Sequence, residues 1–281
     1  VGKLIGDAIS PYAITAWRFL TGGLVLLPFA IRERKSGTLN LSVKSFLSFL
    51  TAGILNVCIS MLLLQLSVFY GKGVLSAIIV STNPLFVVLM AFLFLKEKIT
   101  RLHLMGLLLG LIGLFLIIYG EKAALMQSQN LVLGVLFGLA AAFTFGIYTV
   151  YTKHLILKYG NLTTLSLTFI TGSLSLFVIS AVAGKQLLFV LKPVSLAYLM
   201  YLSIFVTGIA YILYFKSISA IGAANSSMLF FLKPAVAAIL AWSLKNESLN
   251  TLQLIGIVII MISIGRDAVM QLVYRIKVSL N

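Results

Sequence analysis

Acidic side chains are scarce in this chain. Six Asp and Glu residues face 21 Lys and Arg across 281 positions, a formal charge of +15. None of the six lies inside a long apolar run, so no carboxylate pair is expected within the hydrophobic part of the molecule. Histidine is nearly missing as well. His103 stands at the start of one apolar segment and His154 at the end of another, both without acidic neighbours or ligand spacing, so neither a triad nor a metal site is expected. A lone cysteine, Cys58, excludes a disulfide framework or a cysteine-built metal cluster. There is no phosphate-binding glycine loop, which excludes direct ATP drive, and no cofactor is expected. Charged residues make up 10% of the chain where a soluble domain carries about a quarter. The ten-residue alternation of an outer-membrane barrel is absent too. The chain opens at Val1 on a segment with Lys3 and Asp7 and without a signal-peptide n-region, and its start is expected to be cut.

What is present is apolar length. Hydrophobic residues are 61% of the chain, in uninterrupted runs near the roughly 20 residues that a helix needs to cross a bilayer. Nine helices are expected, at about 11–31, 43–69, 73–95, 102–119, 131–151, 162–182, 194–215, 223–244 and 252–264, followed by an amphipathic tail, Arg266 to Asn281. The fold class is an all-α integral membrane protein. The basic residues are scattered over short loops, which speaks for the topology bias of membrane proteins and against a nucleic-acid partner. With both termini cytoplasmic, the inside loops carry thirteen Lys and Arg and the outside loops six. A multi-pass protein of the inner or plasma membrane with a cytoplasmic C-terminus follows.

The chain repeats itself. A shift of 150 residues superposes Phe19, Thr21, Gly22 and Leu24 on Phe169, Thr171, Gly172 and Leu174, then Pro84 on Pro234, Glu97 on Glu247 and Gly106 on Gly256. The helix at 131–151 has no counterpart under that shift, so an upstream helix is expected to be missing. The plan is then ten helices in two five-helix repeats, and the odd number sets the halves in opposite orientations. The first repeat covers 1–120, a linker 121–130, the second repeat 131–265 and the tail 266–281. Gly106, Gly110 and Gly113 form a small-residue face that serves either packing within the chain or a homodimer.

Lys233 and Pro234 stand at the centre of the run from Ala223 to Leu244. An ammonium there costs roughly 2.5–3.5 kcal/mol on insertion scales, so a polar environment must face it. Asn83-Pro84 is its counterpart in the first half. Each proline is expected in a helix interior, kinking it and freeing the carbonyl of Val80 or Phe230. Lys233 and Asn83 are candidate cavity residues near the midplane, with Asn56, Tyr148, Tyr211 and Asn225 as polar groups that complete a wet interior. Arg18, about seven residues into its helix, is a candidate gate or scaffold residue.

These elements, Trp17-Arg18-Phe19-Leu20, Asn83-Pro84 with Leu95-Lys96-Glu97 and Gly106, then Lys233-Pro234, Trp242, Glu247 and Gly256, resemble the EamA branch of the drug/metabolite transporter superfamily over nearly the whole chain. The resemblance implies ten helices, two inverted repeats and a central cavity open alternately to each side. It also implies export of amino acids or other metabolites. With a cation in the apolar centre, a secondary transporter of anionic or zwitterionic small molecules is the first expectation. A proton-coupled exporter of cationic drugs, using an acid in the missing helix, is the alternative. A membrane-embedded lipid-modifying enzyme is a further one.

Overall fold

The computed structural model of the chain describes residues 10–33, 42–120, 130–187, 193–236, 239 and 250–264. The linker up to residue 129, Trp242, Glu247 and the 266–281 tail lie outside the described residues. No strand occurs among those described. Helix α1 is Pro11–Glu33. Helix α2 runs as Val43–Gly53, a π-helical stretch Ile54–Met61, and Leu62–Val80. Helices α3 (Asn83–Leu95), α4 (Arg101–Gly120), α5 (Leu131–Tyr159) and α6 (Asn161–Val182) follow. Helix α7 is Pro193–Tyr201, a second π-helical stretch Leu202–Ile209, and Ala210–Ile221. Helix α8 starts as Ala223–Ser227, tightens to a 3-10 turn at Met228–Phe231 and resumes over 232–236. Helix α9 is Thr251–Ile264.

Local chemistry sets several of these starts. Ser10 accepts the Ala13 N–H on its hydroxyl at 3.2 Å, and Pro11 brings no donor of its own to the first turn of α1. Asn130 does the same for Leu133 N–H at 3.1 Å at the head of α5. Among the described residues five helices are long and apolar enough to cross a membrane: α1, α2 as far as Gly71, α5, α6 and α7. Between Ser67 and Ile79, α2 must turn sharply. Both residues lie within 3 Å of where a Gly138 Cβ would stand, yet twelve helical residues would separate them by about 18 Å. The expected break between the helices at 43–69 and 73–95 falls in this interval.

The two halves are built around an inverted twofold axis. Helices α1 and α6 run antiparallel. At one end the Trp17 indole N–H donates to the Leu187 carbonyl at 3.1 Å, and at the other Glu33 accepts from the Thr163 N–H at 3.0 Å. Between them Phe19 meets Phe169, its own counterpart under the 150-residue shift, edge to face at 5.0 Å. Glycine contacts come in exchanged pairs. A Cβ on Gly172 would stand 2.5 Å from the Gly53 carbonyl, and one on Gly22 would stand 3.1 Å from the Ser203 carbonyl, the same contact with the halves swapped. Likewise a Gly113 Cβ would meet the Gly256 carbonyl at 2.7 Å, while Ser263 donates to the Gly106 carbonyl at 2.7 Å. The Gly106, Gly110 and Gly113 face is therefore used within the chain, with Gly110 against the ring of Phe231. The π-helical stretches are duplicated too, each eight residues long and beginning 148 residues apart, at Ile54 and Leu202.

The prolines differ from expectation. Pro84 does not interrupt a helix: the chain breaks at Ser81–Thr82, and Pro84 enters in the first turn of α3, where a missing N–H costs nothing. Pro234 follows the 3-10 turn, and the Leu232 N–H turns to the carbonyls of Leu229 and Phe230. The Phe230 carbonyl that Pro234 cannot bond is thereby supplied with a donor, and the tightened turn replaces an open kink. Helices α5 and α7 also run further than their apolar patterns, to Tyr159 and Ile221, because polar last turns continue past the hydrophobic stretch.

The close approach of α2 and α6 is directly testable. Gly172→Val places two methyl groups against the Gly53 backbone and should lower the thermal unfolding midpoint in detergent, at a cost of about 1–3 kcal/mol. An unchanged midpoint would mean that these helices do not touch at that point.

Candidate functional site

Helices α1, α2, α3, α5, α7 and α8 enclose a cavity of about 440 Å³. Arg18 reaches it from α1, Ser60 from the π-helical part of α2, Asn83 from the first turn of α3 and Phe145 from α5. Tyr211 and Tyr214 come from α7, and Phe230 and Lys233 from α8. Among the described lining residues there are two cations and no carboxylate.

Both cations rest on ring faces. The Lys233 ammonium lies 4.1 Å from the centroid of Phe230, one helical turn earlier, and the Arg18 guanidinium carbon lies 4.7 Å from that of Phe19. Such contacts supply about 0.5–2 kcal/mol. They leave the hydrogen-bonding capacity of both groups unspent, and Arg18 Nε has no hydrogen-bond partner among the described residues. Asn83 is 4% exposed, and its Oδ1 likewise has no partner there. Ser60 lines the cavity but is committed to the Ala141 carbonyl at 3.0 Å.

The cavity thus brings together Lys233, Asn83, Tyr211 and Arg18. Asn56 stands behind them, buried, accepting a hydrogen bond from the Tyr211 hydroxyl at 3.3 Å. Tyr148 is not among the lining residues. It is packed away between Phe145 and Phe215 at ring distances of 5.9 and 5.7 Å. Asn225 is elsewhere too, its Oδ1 2.7 Å from His103 Nε2 and its amide donating to the Ile221 carbonyl. Arg18, expected as a gate or scaffold residue, faces the cavity itself. The sequence reading overlooked the aromatic wall. Phe145 touches Tyr211, Tyr214 and Phe230 at 6.4, 5.9 and 5.6 Å. The run Ala140-Ala141-Ala142 just before it on α5 was the available signal, since small residues leave the room that the cavity occupies. Among the described residues no three His, Cys, Asp or Glu side chains gather to hold a metal.

Two glutamates tie the halves together at one end of the molecule. Helices α6 and α8 each follow a glycine at φ +87° (Gly160 and Gly222) with no cap from their own side chains. Each is capped from the other half. Glu33, at the end of α1, accepts from the Thr163 N–H. Glu97, just past α3, accepts from Ala223 and Ala224 N–H at 3.0 and 3.1 Å, and from the Lys153 ammonium at 2.8 Å. A side chain at either glycine would strain the backbone and crowd the carboxylate, which lies 2.7 Å from a Gly160 Cβ and 3.3 Å from a Gly222 Cβ.

The model of the EamA-like transporter family matches this chain twice, over residues 1–119 and 132–265. The chain belongs to that family. It is 32% identical to an uncharacterized transporter of Clostridium kluyveri, over 93% of this chain and 85% of that one. To the uncharacterized transporter YyaM of Bacillus subtilis it is 25% identical, over 91% and 83%. A solved crystal structure shares the fold at a TM-score of 0.76 with 17% identity, covering 96% of this chain and 91% of the other. Several apolar spans and EamA membership together make this a multi-pass membrane transporter.

The Glu97 cap gives an EamA chain of this kind a pH signature. Burial pushes its carboxyl upward, but the hydrogen bond from Lys153, the two backbone N–H groups and the nearby ammonium outweigh that and hold it below the ordinary range. A depressed folded value means that the stabilisation is complete above the unfolded value of about 4.3 and is lost as the pH falls through the folded one. Glu97→Gln should lower the melting midpoint in detergent at pH 7 by the equivalent of roughly 1–3 kcal/mol. It should also remove part of the loss that the unsubstituted protein shows below about pH 4.3. Equal acid sensitivity of the two proteins would contradict the assignment.

Proposed function

We propose that this chain is a secondary transporter that exports small organic anions, zwitterionic metabolites such as amino acids included, across the cell membrane by alternating access and without covalent chemistry. The observation that carries this reading is the pair of cations, Arg18 and Lys233, facing one cavity whose described lining has no acid. A carboxylate or phosphate supplies what a ring face does not, a full counter-charge with acceptor oxygens. The inverted halves support alternating access, because rocking one repeat against the other exposes a midplane site to each side in turn. The excess of Lys and Arg in the loops beside Glu33 and Glu97 supports a cytoplasmic location for that end and for both termini.

Uptake by liposomes containing the full-length protein tests this. Organic carboxylates and phosphates are expected to enter, and Lys233→Gln should reduce their uptake about 10- to 100-fold, the equivalent of roughly 1.5–3 kcal/mol for a charged hydrogen bond. Uptake of cations alone, or anion uptake unaltered in a correctly inserted Lys233→Gln protein, would overturn the reading.

A further inference from the structure

The starts of α4 and α9 are one device in two chemistries. Under the 150-residue shift Thr100 falls on Asn250 and His103 on Gln253. In α9 the pair forms a capping box: the Gln253 N–H donates to Asn250 Oδ1 at 2.8 Å and the Asn250 N–H to Gln253 Oε1 at 3.0 Å. In α4 the His103 N–H donates to Thr100 Oγ1 at 3.3 Å and the Thr100 N–H to His103 Nδ1 at 3.1 Å. An imidazole thus stands where the box takes an amide or carboxylate oxygen, and it accepts only while Nδ1 is bare. The other ring nitrogen reaches across to α8. The Asn225 amide donates to the Ile221 carbonyl, so its Oδ1 faces His103 Nε2, at 2.7 Å, and Nε2 carries the proton. Ala223 and Ala224, just before Asn225, are the residues that Glu97 caps. The first turn of α8 is gripped at three successive residues from the short stretch between Glu97 and His103.

From this geometry we infer that His103 is a proton-sensitive clasp on α8: neutral, it closes the cap of α4 and holds Asn225; protonated, it does neither, and the helix that carries Lys233 loosens at its start. A proton on Nδ1 points at the Thr100 N–H, donor against donor. Even where the Thr100 hydroxyl, 2.8 Å from Nδ1, turns to accept it, the Thr100 N–H has lost its acceptor. The new charge also sits in the first turn of α4, at the positive end of the helix dipole. Released from Thr100, the half-buried ring no longer aims Nε2 at Asn225. The surroundings do not offset that charge. Lys96, Lys98 and Arg101 are exposed cations on the same stretch, and α7, tied to α8 by the Ser217–Ser226 hydrogen bond at 2.8 Å, adds Lys216. The described part of α8 brings Lys233, about 12 Å beyond Asn225. Neither α3 nor the described part of α9, which meets α4 where Ser263 donates to the Gly106 carbonyl, has a titratable residue. The carboxylate on this stretch is Glu97, already taken by two backbone N–H groups and Lys153. Held below the ordinary range, it stays ionised across the interval in which histidine side chains change charge.

Hydrogen exchange of the full-length protein in detergent, read by mass spectrometry and corrected for intrinsic rates, tests the clasp without any solute. Between about pH 7.5 and about pH 5.5, segments 100–104 and 222–228 should lose protection roughly 3- to 30-fold, the effect of losing one helix cap. Segment 250–254, closed by Gln253, should not change. His103→Gln, which gives α4 the acceptor that α9 has, should keep its protection at both pH values. Asn225→Ala should abolish the response of 222–228 and leave that of 100–104, and it serves if His103→Gln does not fold. Constant protection in the unsubstituted protein, an equal loss at 250–254, the same loss in His103→Gln, or a response of 222–228 that survives Asn225→Ala would overturn the inference. None of these outcomes bears on the anion reading, which Lys233→Gln decides by uptake.

Discussion

A helix that begins inside an apolar molecule exposes N–H groups that lipid cannot satisfy, and in this protein the answer comes from the other half of the chain. Glu97 closes the first turn of α8 and is held there by Lys153. That contact fixes where α8 starts, and the start fixes where Lys233 stands, ten residues and about 15 Å further along. Glu33 performs the same service for α6, the helix that crosses α1 at the twofold axis. The second half thus depends on the first for the integrity of two of its helix starts.

The symmetry of the scaffold and the asymmetry of its lining have separate jobs. Exchanged contacts such as Gly172 with Gly53 and Gly22 with Ser203 involve backbone and small residues, which pack alike in both halves. The paired prolines likewise enter short regular segments after an irregular turn. Chemistry differs where the side chains reach the cavity. Lys233 answers Asn83, and the aromatic wall built on Phe145 belongs to the second half. The scaffold supplies two equivalent positions on the cavity, and the residues placed there make them unlike.

Much of the scaffold was legible because the repeat is written in residues whose size is constrained. Phe19, Gly22, Gly106 and their counterparts align without a gap, and each proved to sit at a close crossing. Side-chain direction was not legible. In a membrane helix both the lipid face and the buried face are apolar, so periodicity does not say which way Tyr148 or Phe145 points. A polar residue announces that it avoids lipid, but not whom it meets. Asn225 therefore read as a cavity group although it bonds His103, and Tyr148 likewise although it is enclosed by rings. Pro84 was misplaced for a related reason: the apolar run continues through Ser81 and Thr82 while the backbone does not.

The matched π-helical stretches, Ile54–Met61 and Leu202–Ile209, also bear on ancestry. A π-helical turn accommodates one residue more than an α-helical turn, and such irregularities are uncommon. Two of equal length at nearly the same register in both halves are economically explained by a single insertion already carried by a half-length ancestor. Gene duplication then copied the irregularity together with the helix that contained it. On that account the π-helical segments of the cavity wall are older than the cavity, inherited from a chain that needed a partner to enclose anything.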